Sequence, residues 1–99
     1  MFDEAAEEYE EVVKLEPAHV KALLNLGSLQ TKQGQYRKAI ACLQRVLEVA
    51  GENADAHNNL GAIYEELGRF NDAVTAYEKA ISINSFHEEA HFNLARLEY

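Results

Sequence analysis

The sequence predicts an all-α fold, a solenoid of antiparallel helix pairs with about six helices. Three observations predict it: the chain matches itself at an offset of 34 residues, apolar residues within each period recur at steps of three and four, and glycine, proline or asparagine signals separate the apolar runs. No segment alternates over a useful length with the two-residue period of a strand. A fixed period of this kind is the sequence signature of a repeat architecture.

The 34-residue offset appears in five sets of equivalent positions. They are Leu26-Gly27, Leu60-Gly61 and Leu94-Ala95; Gly34-Gln35-Tyr36 and Gly68-Arg69-Phe70; Ala5, Ala39 and Ala73; Tyr9, Leu43 and Tyr77; and Asn25, Asn59 and Asn93. We therefore divide the single repeat domain, residues 1–99, into four parts. These are a second-helix half repeat (1–19), two full repeats (20–53 and 54–87) and a first-helix half repeat (88–99).

The first half repeat is strongly acidic, with seven acids and one lysine in residues 1–16. An acidic docking tail is one interpretation. We favour an amphipathic helix with a solvated acidic face, because apolar residues recur there at helical steps. They are Phe2, Ala5, Ala6, Tyr9, Val12 and Val13. Pro17 then interrupts the helix.

Each full repeat predicts two helices of about 14 residues, about 21 Å long, around a turn at Gly34 or Gly68. The apolar steps are Leu23, Leu26, Ile40, Leu43 and Leu47 in the first repeat, and Leu60, Ile63, Tyr64, Val74, Tyr77 and Ile81 in the second. Gly27 and Gly61 lie inside helices, where glycine costs about 1 kcal/mol. We expect a close approach of a neighbouring helix there, with Ala39 and Ala73 as the small residues facing them.

The repeat positions carry a recognisable motif. Its residues are Leu60, Gly61, Tyr64, Ala73 and Tyr77 in one copy, Leu26, Gly27, Ala39 and Leu43 in the other, and Ala5, Tyr9 and Pro17 in an earlier half copy. This pattern resembles the tetratricopeptide repeat family, with a large residue, Leu-Gly, Tyr, Ala, an aromatic residue and Pro at set offsets. The sequence departs from it at His57 and His91, which replace the large residue. The resemblance implies a right-handed superhelix that serves protein interaction.

Composition excludes several other classes. The chain has 99 residues, of which 47% are hydrophobic and 26% charged, as in one globular domain. The longest apolar run, Ala39–Leu43, is far shorter than the ~20 residues of a membrane span. A net charge of −8 argues against nucleic acid and anionic membranes as partners. The single cysteine, Cys42, rules out an internal disulfide and fits a reducing compartment, so we expect a cytoplasmic location.

Catalytic and metal chemistry are not predicted. Residues 87–91 read His-Glu-Glu-Ala-His, the zinc-binding spacing His-Glu-x-x-His. His87 falls at the turn between repeats, however, so we expect it to precede the helix, and only Glu98 follows as a third ligand. Cys42 stands beside the packing residue Leu43, and no histidine occurs at a repeat position that would place it next to the thiol. We therefore expect Cys42 to be a buried, unreactive cysteine. We therefore predict no enzyme activity, no metal and no cofactor.

The three equivalent asparagines predict a peptide groove. Each stands one residue before a buried leucine, about 100° around the first helix of its repeat. A carboxamide offers a donor and an acceptor, so it can pair with a peptide group. The series resembles the asparagine ladder of the O-linked N-acetylglucosamine transferase repeats, which implies contacts with a substrate backbone. Helical steps complete the predicted peptide-binding set: Asn25, Asn59, Asn93, Lys21, Ser28, Asn58, Ala62, Phe92 and Arg96, with Asn58 and Phe92 at the rim.

Other functions remain open. A structural scaffold is the alternative, in which chains stack head-to-tail through their exposed half repeats. The predicted contact residues are Phe2, Tyr9, Val12 and Val13 at one end and Phe92, Leu94 and Leu97 at the other. A third interpretation is the regulatory array of a larger enzyme. A basic clamp for carboxylates is disfavoured, because Asp55, Glu66 and Glu89 fall among the groove positions. The expected partner is a protein or peptide.

Overall fold

The computed structural model describes the backbone of residues 2–98 and the side chains of residues 4–98. Within that range it contains six helices and no strand, so the predicted all-α fold is confirmed. None of the described helices is long and apolar enough to cross a membrane. The helices are α1 (Phe2–Leu15), α2 (Val20–Lys32), α3 (Tyr36–Val49), α4 (Ala54–Glu66), α5 (Phe70–Ile83) and α6 (Glu88–Glu98).

Two helices end in the same glycine-dependent turn. Gly34 and Gly68 follow α2 and α4 with φ of 77° and 76°, in the left-handed region that a side chain disfavours. The amide of Gln35 donates to the carbonyl of Gln30 at 2.8 Å, and the amide of Gly34 donates to that of Thr31 at 3.0 Å. The same pair of bonds recurs around Gly68. This is the Schellman pattern, which satisfies the last carbonyls and reverses the chain for the next helix.

Three helices begin with the same kind of side-chain cap. His19 accepts a hydrogen bond through Nδ1 from the amide of Ala22 at 3.1 Å. Asn53 Oδ1 accepts from the amide of Ala56 at 2.9 Å, and the Nδ1 atom of His87 accepts from an amide in the first turn of α6 at 3.1 Å. These caps are 34 residues apart and satisfy an amide that no helical carbonyl reaches. They set where α2, α4 and α6 start.

Residues 1–51 form one compact unit. In it α2 packs against both α1 and α3. The core of the unit consists of small and branched apolar side chains, because they fill the narrow space between helices without polar atoms. The buried apolar side chains are Ala6, Ala22, Leu23, Leu26, Ala39, Leu43 and Val46.

Residues 52–99 form the second compact unit. Here α5 packs against α4 and α6, and α4 also contacts α6 directly. Tyr77 is the largest fully buried side chain. The other buried apolar residues of this unit are Ala56, Leu60, Ile63, Ala73, Ala76, Ala80 and Ala90. The arrangement places α4 and α6 side by side on α5.

The mid-helix glycines lie against large side chains of the neighbouring helix. At Gly61 the nearest atoms belong to the ring of Tyr77. The side chain of Leu43 lies nearest to Gly27, and the backbone carbonyl of Ala39 also lies close to it, which agrees with the predicted approach of a neighbouring helix. The glycines thus make room for large side chains, because the residue four positions after Ala39 or Ala73 points into the helix pair.

Candidate peptide-binding groove

A groove of about 640 Å³ lies between α4 and α6 of the second unit. Both helices pack on α5 and contact each other. The lining residues come from the second and third turns of α4 and from the first two turns of α6. They are Asn58, Asn59, Ala62, Glu88, Glu89, Phe92 and Asn93.

Asn58 lies at the base of this groove and joins its two walls. Its side chain donates through Nδ2 to Oε2 of Glu89 at 3.3 Å and accepts through Oδ1 from Nδ2 of Asn93 at 3.2 Å. It is only 3% exposed. Asn58 was predicted to lie at the rim, and its burial shows that this position is wrong. A carboxamide whose oxygen and nitrogen are both hydrogen-bonded can be buried at little cost. Asn58 holds Glu89 and Asn93 in place.

The predicted ligand contacts Asn59, Phe92 and Asn93 come together in this groove. Both asparagines are half-buried, whereas Phe92 is 69% exposed. A carboxamide has two N–H donors and one oxygen acceptor, and the bond to Asn58 uses one donor of Asn93. Asn93 therefore retains a donor and an acceptor with which it could pair with a peptide backbone. Ala62 leaves the middle of the groove open because its side chain is short.

The charge of the groove is negative. Glu88 and Glu89 are both exposed, and the lining that the structure describes contains no lysine or arginine. The N-terminus of α6 offsets this only partly, since a helix end carries about half a positive charge.

Arg96 was predicted to face the ligand, but it is not among the residues that line the groove. Its Nη2 donates to Oε1 of Glu65 at 2.7 Å, and Oη of Tyr77 donates to the same oxygen at 2.7 Å. The hydrogen bond from Arg96 lowers the pKa of Glu65, and the bond from Tyr77 adds to that effect. Burial and the neighbouring carboxylate raise the pKa of the Tyr77 hydroxyl. This cluster links α4, α5 and α6, and contact between Arg96 and a ligand stays a prediction.

The histidines of the His-Glu-x-x-His sequence are engaged elsewhere. His87 precedes α6, with Nδ1 capping that helix and Nε2 at 2.7 Å from Oδ1 of Asp55. Because Nδ1 accepts a hydrogen bond, we assign the ring proton to Nε2, which donates to Asp55. The Nε2 atom of His91 lies 2.8 Å from the carbonyl oxygen of Ser85. Among the residues that the structure describes, no group of three potential ligands could hold a metal ion.

The remaining predicted contacts lie on α2 of the first unit. Asn25 and Ser28 are half-buried, and Lys21 is exposed. Their contact with a ligand stays a prediction. Cys42 of the same unit donates through Sγ to Oε1 of Gln30 at 3.3 Å, and burial, followed by the charge of Glu10, raises the pKa of its thiol. A raised pKa disfavours the nucleophilic thiolate.

Sequence reasoning missed the pairing role of Asn58 and the capping roles of the histidines. One signal was available for Asn58, because its repeat equivalents Leu24 and Phe92 are apolar. A polar residue at an apolar repeat position indicates a buried hydrogen-bonding partner. For the caps the signal was the 34-residue spacing of His19, Asn53 and His87 directly before helices.

Antiparallel helix pairs that repeat every 34 residues define a helical-repeat protein. The model of the tetratricopeptide repeat family matches residues 18–85, which is more than half of the chain. The chain belongs to the tetratricopeptide repeat family. Domains of this family are generally protein-interaction modules and typically non-catalytic. A comparison with curated proteins gives no match.

Solved structures share the fold. A crystal structure of MamA is 28% identical with a TM-score of 0.84, and the alignment covers 97% of this chain and 56% of that chain. The RS-1 ArsTM double mutant of MamA is 26% identical with a TM-score of 0.82, and the alignment covers 97% of this chain and 54% of that chain. The OM64 tetratricopeptide domain of Arabidopsis is 21% identical with a TM-score of 0.89, covering 97% of this chain and 79% of that one, and shows the fold alone. The chain spans about half the length of the MamA structures.

Proposed function

We propose that this chain is a non-catalytic interaction module that binds an extended peptide segment in the groove between α4 and α6. The observation that carries the proposal is the presence of Asn59, Phe92 and Asn93 in one groove. Exposed aromatic side chains are common in binding sites because they bury a large area at low entropic cost. Membership of a family of interaction modules supports the same function.

The polar contacts would come from the peptide backbone. The remaining donor and acceptor of Asn93 match the carbonyl and amide of one peptide unit. Such contacts do not depend on the peptide's side chains, so they suit an extended segment of any sequence. Phe92 would then cover an apolar side chain of the ligand.

The expected affinity is low. A neutral hydrogen bond contributes about 0.5–1.5 kcal/mol and full burial of a phenylalanine about 1.5–3 kcal/mol. Association itself costs about 4 kcal/mol or more. We therefore expect dissociation constants of about millimolar to high micromolar for short peptides, with higher affinity only when several repeats bind one ligand.

NMR titration with unstructured peptides tests the proposal through the side-chain amide signals of Asn25, Asn59 and Asn93. We expect the signals of Asn59 and Asn93 to shift with saturation, and Asn25 reports whether the first unit takes part. The double variant Asn59→Ala/Asn93→Ala should bind several-fold more weakly to unrelated peptides alike.

Asn71→Ala is the matched control, because Asn71 is an exposed asparagine of α5 outside the groove. It should bind as the unchanged chain does. Signals of Asn59 and Asn93 that stay still at saturating peptide would contradict the proposal, and so would equal weakening by the control.

A further inference from the structure

We infer that the groove between α4 and α6 prefers peptides in which a lysine or arginine stands two residues from an apolar residue. The inference rests on the proposed function, and it adds the chemistry of the ligand. Two neighbouring features on one face of α6 carry it, a pair of carboxylates and an exposed aromatic ring.

The carboxylates have no cation beside them in the groove. Glu88 and Glu89 are exposed, and no basic residue is among the described residues that line it. Two bases of this unit are paired elsewhere, since Arg96 contacts Glu65 at 2.7 Å and Arg69 contacts Asp72 at 2.7 Å. The chain as a whole is also acidic, with a net charge of −8. A cationic ligand therefore meets complementary charge, and an anionic ligand meets repulsion.

One of the two carboxylates is held in position. Oε2 of Glu89 accepts the hydrogen bond from the buried Asn58 at 3.3 Å. A carboxylate has about four acceptor positions, so this bond leaves room for a ligand donor. Asn58 also holds Asn93, so one buried side chain positions both the carboxylate of Glu89 and the carboxamide proposed to bind the peptide backbone. The groove is thus partly preorganised, which lowers the entropic cost of binding.

The aromatic ring lies at a matching spacing. Phe92 is four residues after Glu88 and three after Glu89, so the three side chains share one face of α6. Their Cβ atoms are about 5–6 Å apart on such a face. Side chains two residues apart in an extended peptide are about 6–7 Å apart on one side of the strand. A basic side chain of the peptide can therefore reach the carboxylates while the apolar side chain two residues away covers the ring of Phe92.

Synthetic peptides with Gly-Ser flanks around Lys-Ser-Leu, Gln-Ser-Leu or Glu-Ser-Leu test this preference by fluorescence anisotropy. We expect the lysine peptide to bind about 5–10-fold more tightly than the glutamine peptide at low salt, and the glutamate peptide to bind most weakly. Raising the salt concentration should narrow the differences. Replacing leucine by serine should weaken binding of the lysine peptide severalfold.

Glu88→Lys is the decisive variant, because it reverses one charge and leaves the bond between Asn58 and Glu89 in place. It should abolish the lysine preference or invert it. Glu78→Lys is the control, since Glu78 is an exposed glutamate of α5 outside the groove. This control changes the net charge equally and should retain the preference.

The outcomes separate this inference from the proposed function. If all three peptides bind with equal affinity and shift the groove asparagines, the charge preference is wrong and the proposed function stands. If none of them binds, the proposed function fails as well. A preference lost equally in Glu88→Lys and Glu78→Lys would overturn the inference, because it would arise from net charge and not from the groove.

Discussion

A side chain at Gly61 would collide with the ring of Tyr77. A Cβ atom built on Gly61 would lie 2.6 Å from Cε1 and 2.7 Å from Cδ1 of Tyr77. At the equivalent position of the first unit, a Cβ on Gly27 would lie 3.4 Å from the side chain of Leu43. The ring of Tyr77 is fully buried, so the packing around it opposes a shift, and two glycines of one repeat motif have different structural roles.

The first prediction compares alanine at these two positions. Gly61→Ala should lower the free energy of unfolding by about 1–3 kcal/mol, because a methyl group overpacks the contact with Tyr77. Gly27→Ala should change it by about 1 kcal/mol or less and can raise it, because alanine is the better helix former. Urea titration followed by circular dichroism measures both. Repeating Gly61→Ala in a Tyr77→Leu background should recover part of the loss, and equal losses at both glycines would contradict the assignment.

The second prediction concerns acid stability and Glu65. Its pKa in the folded chain is lowered by hydrogen bonds from Arg96 and Tyr77. The resulting stabilisation is present above the ordinary carboxyl pKa of about 4.3 and is lost as the pH falls through the lower folded pKa. Glu65→Gln should therefore be less stable than the unchanged chain at neutral pH and lose less stability on acidification. Urea midpoints measured from neutral pH downward test this, with Glu78→Gln as control. Parallel pH profiles for the unchanged chain and Glu65→Gln would refute it.

The third prediction concerns the helix caps. Replacing His19, Asn53 or His87 by alanine should each cost about 0.5–2 kcal/mol of stability, because one helical amide loses its acceptor. His87→Ala should cost more than His19→Ala, since His87 also contacts Asp55. His19→Asn should retain most of the stability because asparagine supplies the acceptor, as Asn53 does. A His19→Asn variant as unstable as His19→Ala would show that the ring itself, and not the cap, matters there.

The fourth prediction concerns head-to-tail association. Tyr9, Val12 and Val13 are half-buried in the first unit, and Leu94 and Leu97 are half-buried in the second, while the side chain of Phe2 lies outside the described residues. We predict that these surfaces pair, so light scattering at rising protein concentration should show reversible growth in mass.

Phe92→Ser should suppress that growth. Phe86→Ser is the matched control because Phe86 is 88% exposed in the turn before α6 and is not a predicted contact. A chain that stays monomeric throughout the concentration series would rule the contact out.

The helices could be predicted from sequence because their determinants are local. Apolar steps of three and four residues locate a helical face, and Gly34 and Gly68 mark the turns through their left-handed backbone. Helical geometry also predicted that Asn59, Phe92 and Asn93 lie near one another, because residues at equivalent repeat positions recur on equivalent helix faces. All three line one groove.

Tertiary structure decided which polar groups are paired. The bonds of Asn58 join residues 31 and 35 positions apart, and the contact of Glu65 with Arg96 spans 31 positions. Periodicity places side chains on a face, but hydrogen bonding depends on the distances and rotamers between two packed helices. For the same reason, the repeat motif could identify Gly27 and Gly61 as equivalent, whereas only packing against Leu43 or Tyr77 distinguished their tolerance of a side chain.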